Sequence, residues 1–143
     1  MKTRRAAREW AMKVLYAQEI SGDSVEWIIE HFQPTNAGNA HSIFANELIE
    51  RTDRMRERLD QIIQKYVEKW ELERIAVLDH VILRMAICEI LFFDDIPPKV
   101  SISEAIEIAK RFSTDDSSAF VNGILDAVLH MIAEESGIPR QEE

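Results

Sequence analysis

A chain of 143 residues suits one compact domain or two tightly packed halves, and its 46% hydrophobic content is enough for a core, which excludes global disorder. The net charge of -9 argues against general affinity for nucleic acid, and a single cysteine, Cys88, excludes both an intramolecular disulfide and a multi-cysteine zinc site. Only four Gly and four Pro interrupt the chain, which favours helices joined by short connections.

The first helix is predicted from about Arg4 to Ile20. Ala7, Trp10, Ala11, Val14 and Leu15 follow the i, i+3, i+4, i+7 rule and share a face. Steps of 100° place Arg5, Arg8, Met12 and Tyr16 together beside it. Residues 1–15 carry Lys2, Arg4, Arg5, Arg8 and Lys13 against Glu9 alone, so a basic edge precedes an acidic body. No uninterrupted apolar stretch follows this basic start, so a secretory signal is not expected. Ser21-Gly22-Asp23 ends the helix, with Gly22 as the cap beyond it. A short second helix follows over 24–33, with Ser24 as N-cap and Val25, Ile28, Ile29 and Phe32 inward. Residues 33–40 read as a loop.

A long third helix is expected from about His41 to Val67, with Phe44, Leu48, Ile49, Met55, Leu59, Ile62, Ile63 and Tyr66 as its apolar positions. Residues 68–73 read as the junction between an N-terminal half, about 1–68, and a C-terminal half, about 69–136. The next helix, about Glu73 to Phe93, is apolar on most sides and so central to its bundle. Asp79, His80, Arg84 and Glu89 interrupt it, which makes it a buried helix rather than a membrane span. Pro97-Pro98 forces a turn. Ser101 three residues before Glu104 has capping-box spacing for the following helix. The last helix starts near Thr114–Ser117 and runs through Phe120, Val121, Ile124, Leu125, Val128 and Ile132. Gly137 and Pro139 end it, and residues 137–143 are expected to fray.

Several of these segments, taken in order, resemble the NusB family. Arg4-Arg5-Ala6-Ala7-Arg8-Glu9 with Ala11 and Leu15-Tyr16 is similar to that family's opening helix. Asp79, Ile82-Leu83-Arg84-Met85-Ala86 and Glu89-Ile90-Leu91 are similar to its central helix. Asp95-Ile96-Pro97, the run from Val100 to Lys110, and Phe120-Val121-Asn122-Gly123-Ile124-Leu125-Asp126 complete the set. The chain departs from the family pattern at Ser113, where many members have Gly, at Ser103 and Cys88, where many have Asn and Tyr, and at Ala119, where some are basic. The resemblance implies an all-α fold of two small packed helical bundles, about six to seven helices in a single domain. It also implies a cytoplasmic transcription antitermination adaptor that binds boxA-type single-stranded RNA of ribosomal-RNA transcripts. A small-subunit ribosomal protein and the transcription elongation complex are the implied partners, and a homodimer is within the family's range. No membrane, cofactor or catalytic step is implied.

The candidate RNA contacts are Lys2, Arg4, Arg5 and Arg8, since arginine can grip phosphate with two nitrogens or stack on a base. Phe120 and Asn122 join them: an aromatic ring can stack on an unpaired base and an amide can read its edge. Periodicity alone instead makes Phe120 a core residue and Gly123 a place of close helix packing. Asp116, one turn upstream, reads as a helix-end group that shapes this edge. By resemblance, Tyr16 and Asp79 face the ribosomal-protein partner; ordinary surface is the alternative. Glu89 falls on the buried stripe, so its expected role is structural, accepting hydrogen bonds from backbone N–H groups at the start of the helix after Pro98. The four histidines show no ligand spacing, so no metal site is expected.

Three other readings compete. One is a helical protein-interaction or recruiting module without independent RNA binding. Another is the NusB-like part of a ribosomal-RNA methyltransferase, which would need a catalytic domain beyond Glu143. The third is a helix-turn-helix DNA binder, which the acid-rich C-terminal helices disfavour.

Overall fold

The computed structural model describes residues 3–32 and 40–136. They form eight helices and no strand: α1 (Arg4–Ser21), α2 (Val25–His31), α3 (Ala40–Arg54), α4 (Arg56–Gln64), α5 (Lys69–Arg74), α6 (Val77–Phe92), α7 (Pro98–Phe112) and α8 (Asp115–Ser136). Lys2, residues 33–39 of the loop expected over 33–40, and the expected tail over 137–143 lie outside the described residues, and Ala40, the last position of that loop, already begins α3.

The chain divides into two compact units, residues 1–56 and 57–143. The division falls at the end of α3, earlier than the expected junction at 68–73. Those residues instead form α5, whose start is closed by Glu68 N–H donating to Glu71 Oε1 at 2.9 Å. The single helix expected over 41–67 is two, α3 and α4, with Met55 between them. No Gly or Pro marks this break, and Met55 N–H still reaches Arg51 O at 3.0 Å. The interruption accords with packing: α3 lies in the first unit, and α4 from Glu57 onward lies in the second.

In the first unit, α1 packs on α3 and α2. Ala7, Ala11, Val14 and Leu15 meet Val25 and Ile28 of α2 and Phe44, Leu48 and Ile49 of α3 in its core. Thr3 caps α1 by accepting from Ala6 N–H at 3.0 Å. Gly22 ends it at φ 80°, a left-handed conformation that glycine adopts without Cβ strain. Ser24 caps α2 as expected, through Trp27 N–H at 3.2 Å. Phe32, expected inward, is exposed and packs edge-on against Trp27. The helix is only seven residues long, and Phe32 is its C-cap, past the last turn that faces the core.

In the second unit, α6 packs on α7 and α8, which also pack on each other. Residues 81–90 are all buried, so α6 is the central helix that its nearly continuous apolar sequence predicted. Helix α7 begins at Pro98 itself, with its fixed φ in the first position. Ser101 therefore lies inside the first turn and is not an N-cap. Thr114 caps α8, accepting from Ser117 N–H at 3.0 Å. No described helix is long and apolar enough to cross a membrane.

Candidate nucleic-acid interface

The N-terminal turns of α1 carry the first group of candidate residues. Arg4 and Arg5 are exposed. Arg8 is not: it is 4% exposed, among the most buried charged side chains of the described residues. The guanidinium carbons of Arg4 and Arg8 lie 4.8 Å and 5.3 Å from the centre of the Phe44 ring of α3. The expected strip of Arg5, Arg8, Met12 and Tyr16 thus divides. Arg8 and Met12 turn into the unit, whereas Arg5 and Tyr16, the latter 41% exposed, face outward. For Arg8 the neighbour is Phe44 of α3, the helix packed along α1.

The second group lies on α8, in the other unit. Val121, Ile124, Leu125 and Val128 point into the core. Phe120, Asn122 and Gly123 are exposed, Phe120 by 36%. Phe120 is therefore not a core residue. Gly123 does not serve close helix packing either, because a Cβ built there meets nothing within 4 Å among the described residues. A glycine inside a helix costs about 1 kcal/mol relative to alanine. Here it leaves a bare stretch of backbone between an exposed ring and an exposed amide. Asp116 is exposed in the first turn of α8, where its charge favours the helix dipole.

Asp79 does not face outward. It is 6% exposed, near the start of α6, and accepts from Ser113 Oγ at 2.9 Å and Ser117 Oγ at 2.7 Å. One carboxylate thus ties the start of α6 to the α7–α8 connection and to the first turn of α8. Ser113, the departure from the family pattern, supplies one of those two bonds. Asp79 is corrected from a partner-facing residue to a structural one, since both oxygens are already engaged and little of the side chain reaches solvent.

Glu89 is 2% exposed, and one donor to it is a side-chain hydroxyl of α7. Ser101 Oγ donates to Oε1 at 3.0 Å, while the N–H groups of Val100 and Ser101 both turn to Pro97 O. A buried carboxylate with a charge-assisted hydrogen bond loses more than a neutral one when altered. Glu89→Gln is expected to destabilise the fold by about 1–2 kcal/mol. Thermal melting followed by circular dichroism checks this; an unchanged midpoint would remove the structural role.

Two groupings escaped the sequence reading. In the sequence Phe44 is simply an apolar position of its helix, and the Arg4/Arg8 pairing with it spans some forty residues of chain. Asp60 of α4 holds His80 and Arg84 of α6: His80 Nε2 lies 2.7 Å from Oδ1, and Arg84 donates from Nε to Oδ1 at 2.8 Å and from Nη2 to Oδ2 at 2.9 Å. The i, i+4 spacing of His80 and Arg84 was a usable signal, since it places both on one face. Their common partner was not visible. Among the described residues no group of three His, Cys, Asp or Glu could hold a metal ion.

The sequence model of the NusB family matches residues 5–130. The chain belongs to the NusB family. A transcription antitermination protein NusB from Salinibacter ruber is 45% identical over 131 residues, covering 90% of this chain and 82% of that protein. The solved structure of T. maritima NusB is 40% identical, with a TM-score of 0.82 over 90% of this chain and 92% of that one. A structure of the antitermination factors NusB and NusE in complex with double-stranded RNA is 24% identical with a TM-score of 0.79, covering 92% of this chain and 98% of that one, and shares the fold. The family is one of transcription antitermination proteins rather than enzymes, and all eight described helices accord with its all-α architecture.

Proposed function

We propose that this NusB-family chain is a cytoplasmic antitermination adaptor that binds boxA-type single-stranded RNA of ribosomal-RNA transcripts together with a small-subunit ribosomal protein, within the elongation complex. The observation that carries this reading is the exposure of Arg4 and Arg5 at the start of α1, on a chain whose net charge is -9. An acidic body repels polyanions except where cations are concentrated, so phosphate is directed to this edge. On α8, exposed Phe120 and Asn122 offer a stacking ring and an amide, and bare Gly123 lets a base or sugar come close to the backbone. A ring and an amide act on unpaired bases, which favours single-stranded RNA over a duplex. The NusB of the solved complex is assembled with NusE and double-stranded RNA, which supports RNA and a protein as partner classes, while the preference for a single strand rests on the exposed ring and amide. Tyr16 is the remaining candidate for the protein partner, since an exposed tyrosine buries area while keeping a polar tip.

Fluorescence anisotropy of a labelled boxA-type RNA and a scrambled control, at two salt concentrations, with and without the ribosomal protein, tests the reading. Preference for boxA that grows with the partner and weakens with salt is the expected result. The double variant Arg4→Gln, Arg5→Gln is expected to lose at least about tenfold in affinity with an unchanged melting midpoint. Equal binding of both RNAs, even with the partner present, would leave a helical protein-interaction module.

A further inference from the structure

The ring of Phe44 carries two cations. Arg4 and Arg8, one helical turn apart on the same face of α1, bring their guanidinium carbons to 4.8 Å and 5.3 Å from its centre. Phe44 and Arg8 are buried, whereas Arg4 is exposed. One turn further along α3, the corresponding buried positions are the aliphatic Leu48 and Ile49. An aliphatic side chain would fill the space at 44 as well, but only an aromatic ring offers a negative face to a cation. That attraction strengthens where water is excluded, as around Arg8. An arginine already held in one orientation loses less freedom when it meets a phosphate, so affinity gains from the support beneath it.

We propose that Phe44 is a positioning residue for RNA binding: its ring, shared with buried Arg8, holds exposed Arg4 in the orientation that meets an RNA phosphate. This rests on the RNA-binding reading above. It reassigns Arg8 from a phosphate contact to part of the support, and it places one determinant of RNA affinity on α3, at an uncharged residue.

The test compares wild type, Phe44→Leu and Phe44→Tyr by anisotropy with the boxA-type RNA across a salt series. Leucine keeps the apolar volume and loses the ring face; tyrosine keeps both. Phe44→Leu is expected to weaken binding about three- to tenfold and to reduce the salt slope by about 1, as one phosphate contact is lost. Phe44→Tyr is expected to bind within about twofold of wild type. In the Phe44→Leu background, Arg4→Gln should then cost little more. A purely structural role would lower the melting midpoint of Phe44→Leu and leave the salt slope alone. Wild-type binding matched by Phe44→Leu in affinity and slope overturns the proposal and leaves the RNA reading standing. No RNA binding by wild type, with the ribosomal protein present, overturns both. Should Phe44→Leu lose its helical circular dichroism, NMR of the wild type decides. Ring-shifted Arg4 and Arg8 side-chain protons, those of Arg4 moving on RNA addition, support the proposal; unshifted protons overturn it.

Discussion

Asp60→Asn is expected to lower the free energy of unfolding by about 3 kcal/mol, the lower end of the cost of breaking a buried ion pair. Arg84 is almost fully buried, and both of its described bonds to Asp60 end on the carboxylate, one on each oxygen. Asparagine has one accepting oxygen in place of two, no charge, and an NH2 group that cannot accept from a guanidinium. The arginine would keep its charge in a place where water cannot replace the lost partner. Asp60 itself is about one-quarter exposed, which limits the loss. The double replacement Asp60→Leu, Arg84→Met is expected to recover most of it, because two apolar groups need no partner. Urea unfolding of the three proteins measures the effect. A Asp60→Asn variant as stable as wild type would show that the pair is dispensable.

The same carboxylate has a signature in pH. Burial pushes the Asp60 carboxyl up, but hydrogen bonds from His80 and Arg84 and the charges of both outweigh burial and hold it well below the usual carboxylate range. A group lowered in this way contributes stability that is fully present above its unfolded value, about 3.9. That stability is lost as pH falls from there through the folded value. Wild type should therefore lose stability steeply below about pH 4, and Asp60→Asn, already without the contribution, should show a shallower fall.

Asp79→Ala is expected to cost a similar amount, about 3 kcal/mol, since it removes two charge-assisted hydrogen bonds. It would leave the Ser113 and Ser117 hydroxyls without their carboxylate at the junction of α7 and α8. Ser113→Ala alone should cost about 1 kcal/mol, and the same change made on top of Asp79→Ala should cost much less, because the two share one contact. This outcome separates a structural Asp79 from a partner-facing one. A residue that only touched a ribosomal protein would leave urea unfolding unchanged and weaken the complex. A residue that clamps the first turn of α8 does the reverse: isolated stability falls first.

The helices were legible because their signals are local. Thr114 and Ser24 announce helix starts, Gly22 announces an end, and Pro98 fits only a first turn. The centrality of α6 followed from an apolar sequence with no polar face to expose. The break at Met55 was not legible, as it has no breaker residue and arises from helical segments joining different cores. Phe32 and the periodicity reading of Phe120 as core fail for a related reason, whereas the resemblance places Phe120 at the surface. Aromatic residues at helical spacing are mostly core, but periodicity describes a helix and does not say how much of its circumference a neighbour covers.

The candidate site shows the same limit at the level of chemistry. Residue types and order along the chain determined by themselves that the protein is all-helical and NusB-like, and that its N-terminal edge is net basic on an otherwise acidic chain. They also placed Asp116, Phe120, Asn122 and Gly123 together on one helix. Only the tertiary structure decided which of those groups are available. Arg8 looked like Arg5 in the sequence and is buried on Phe44; Asp79 looked like a surface acid and is engaged by Ser113 and Ser117. A charged side chain has no fixed role until its surroundings set whether water, a ring or a hydroxyl faces it. Those surroundings come from residues 34 to 38 positions away from Asp79, and 36 from Arg8, brought near by helix packing and not by the spacing of the chain.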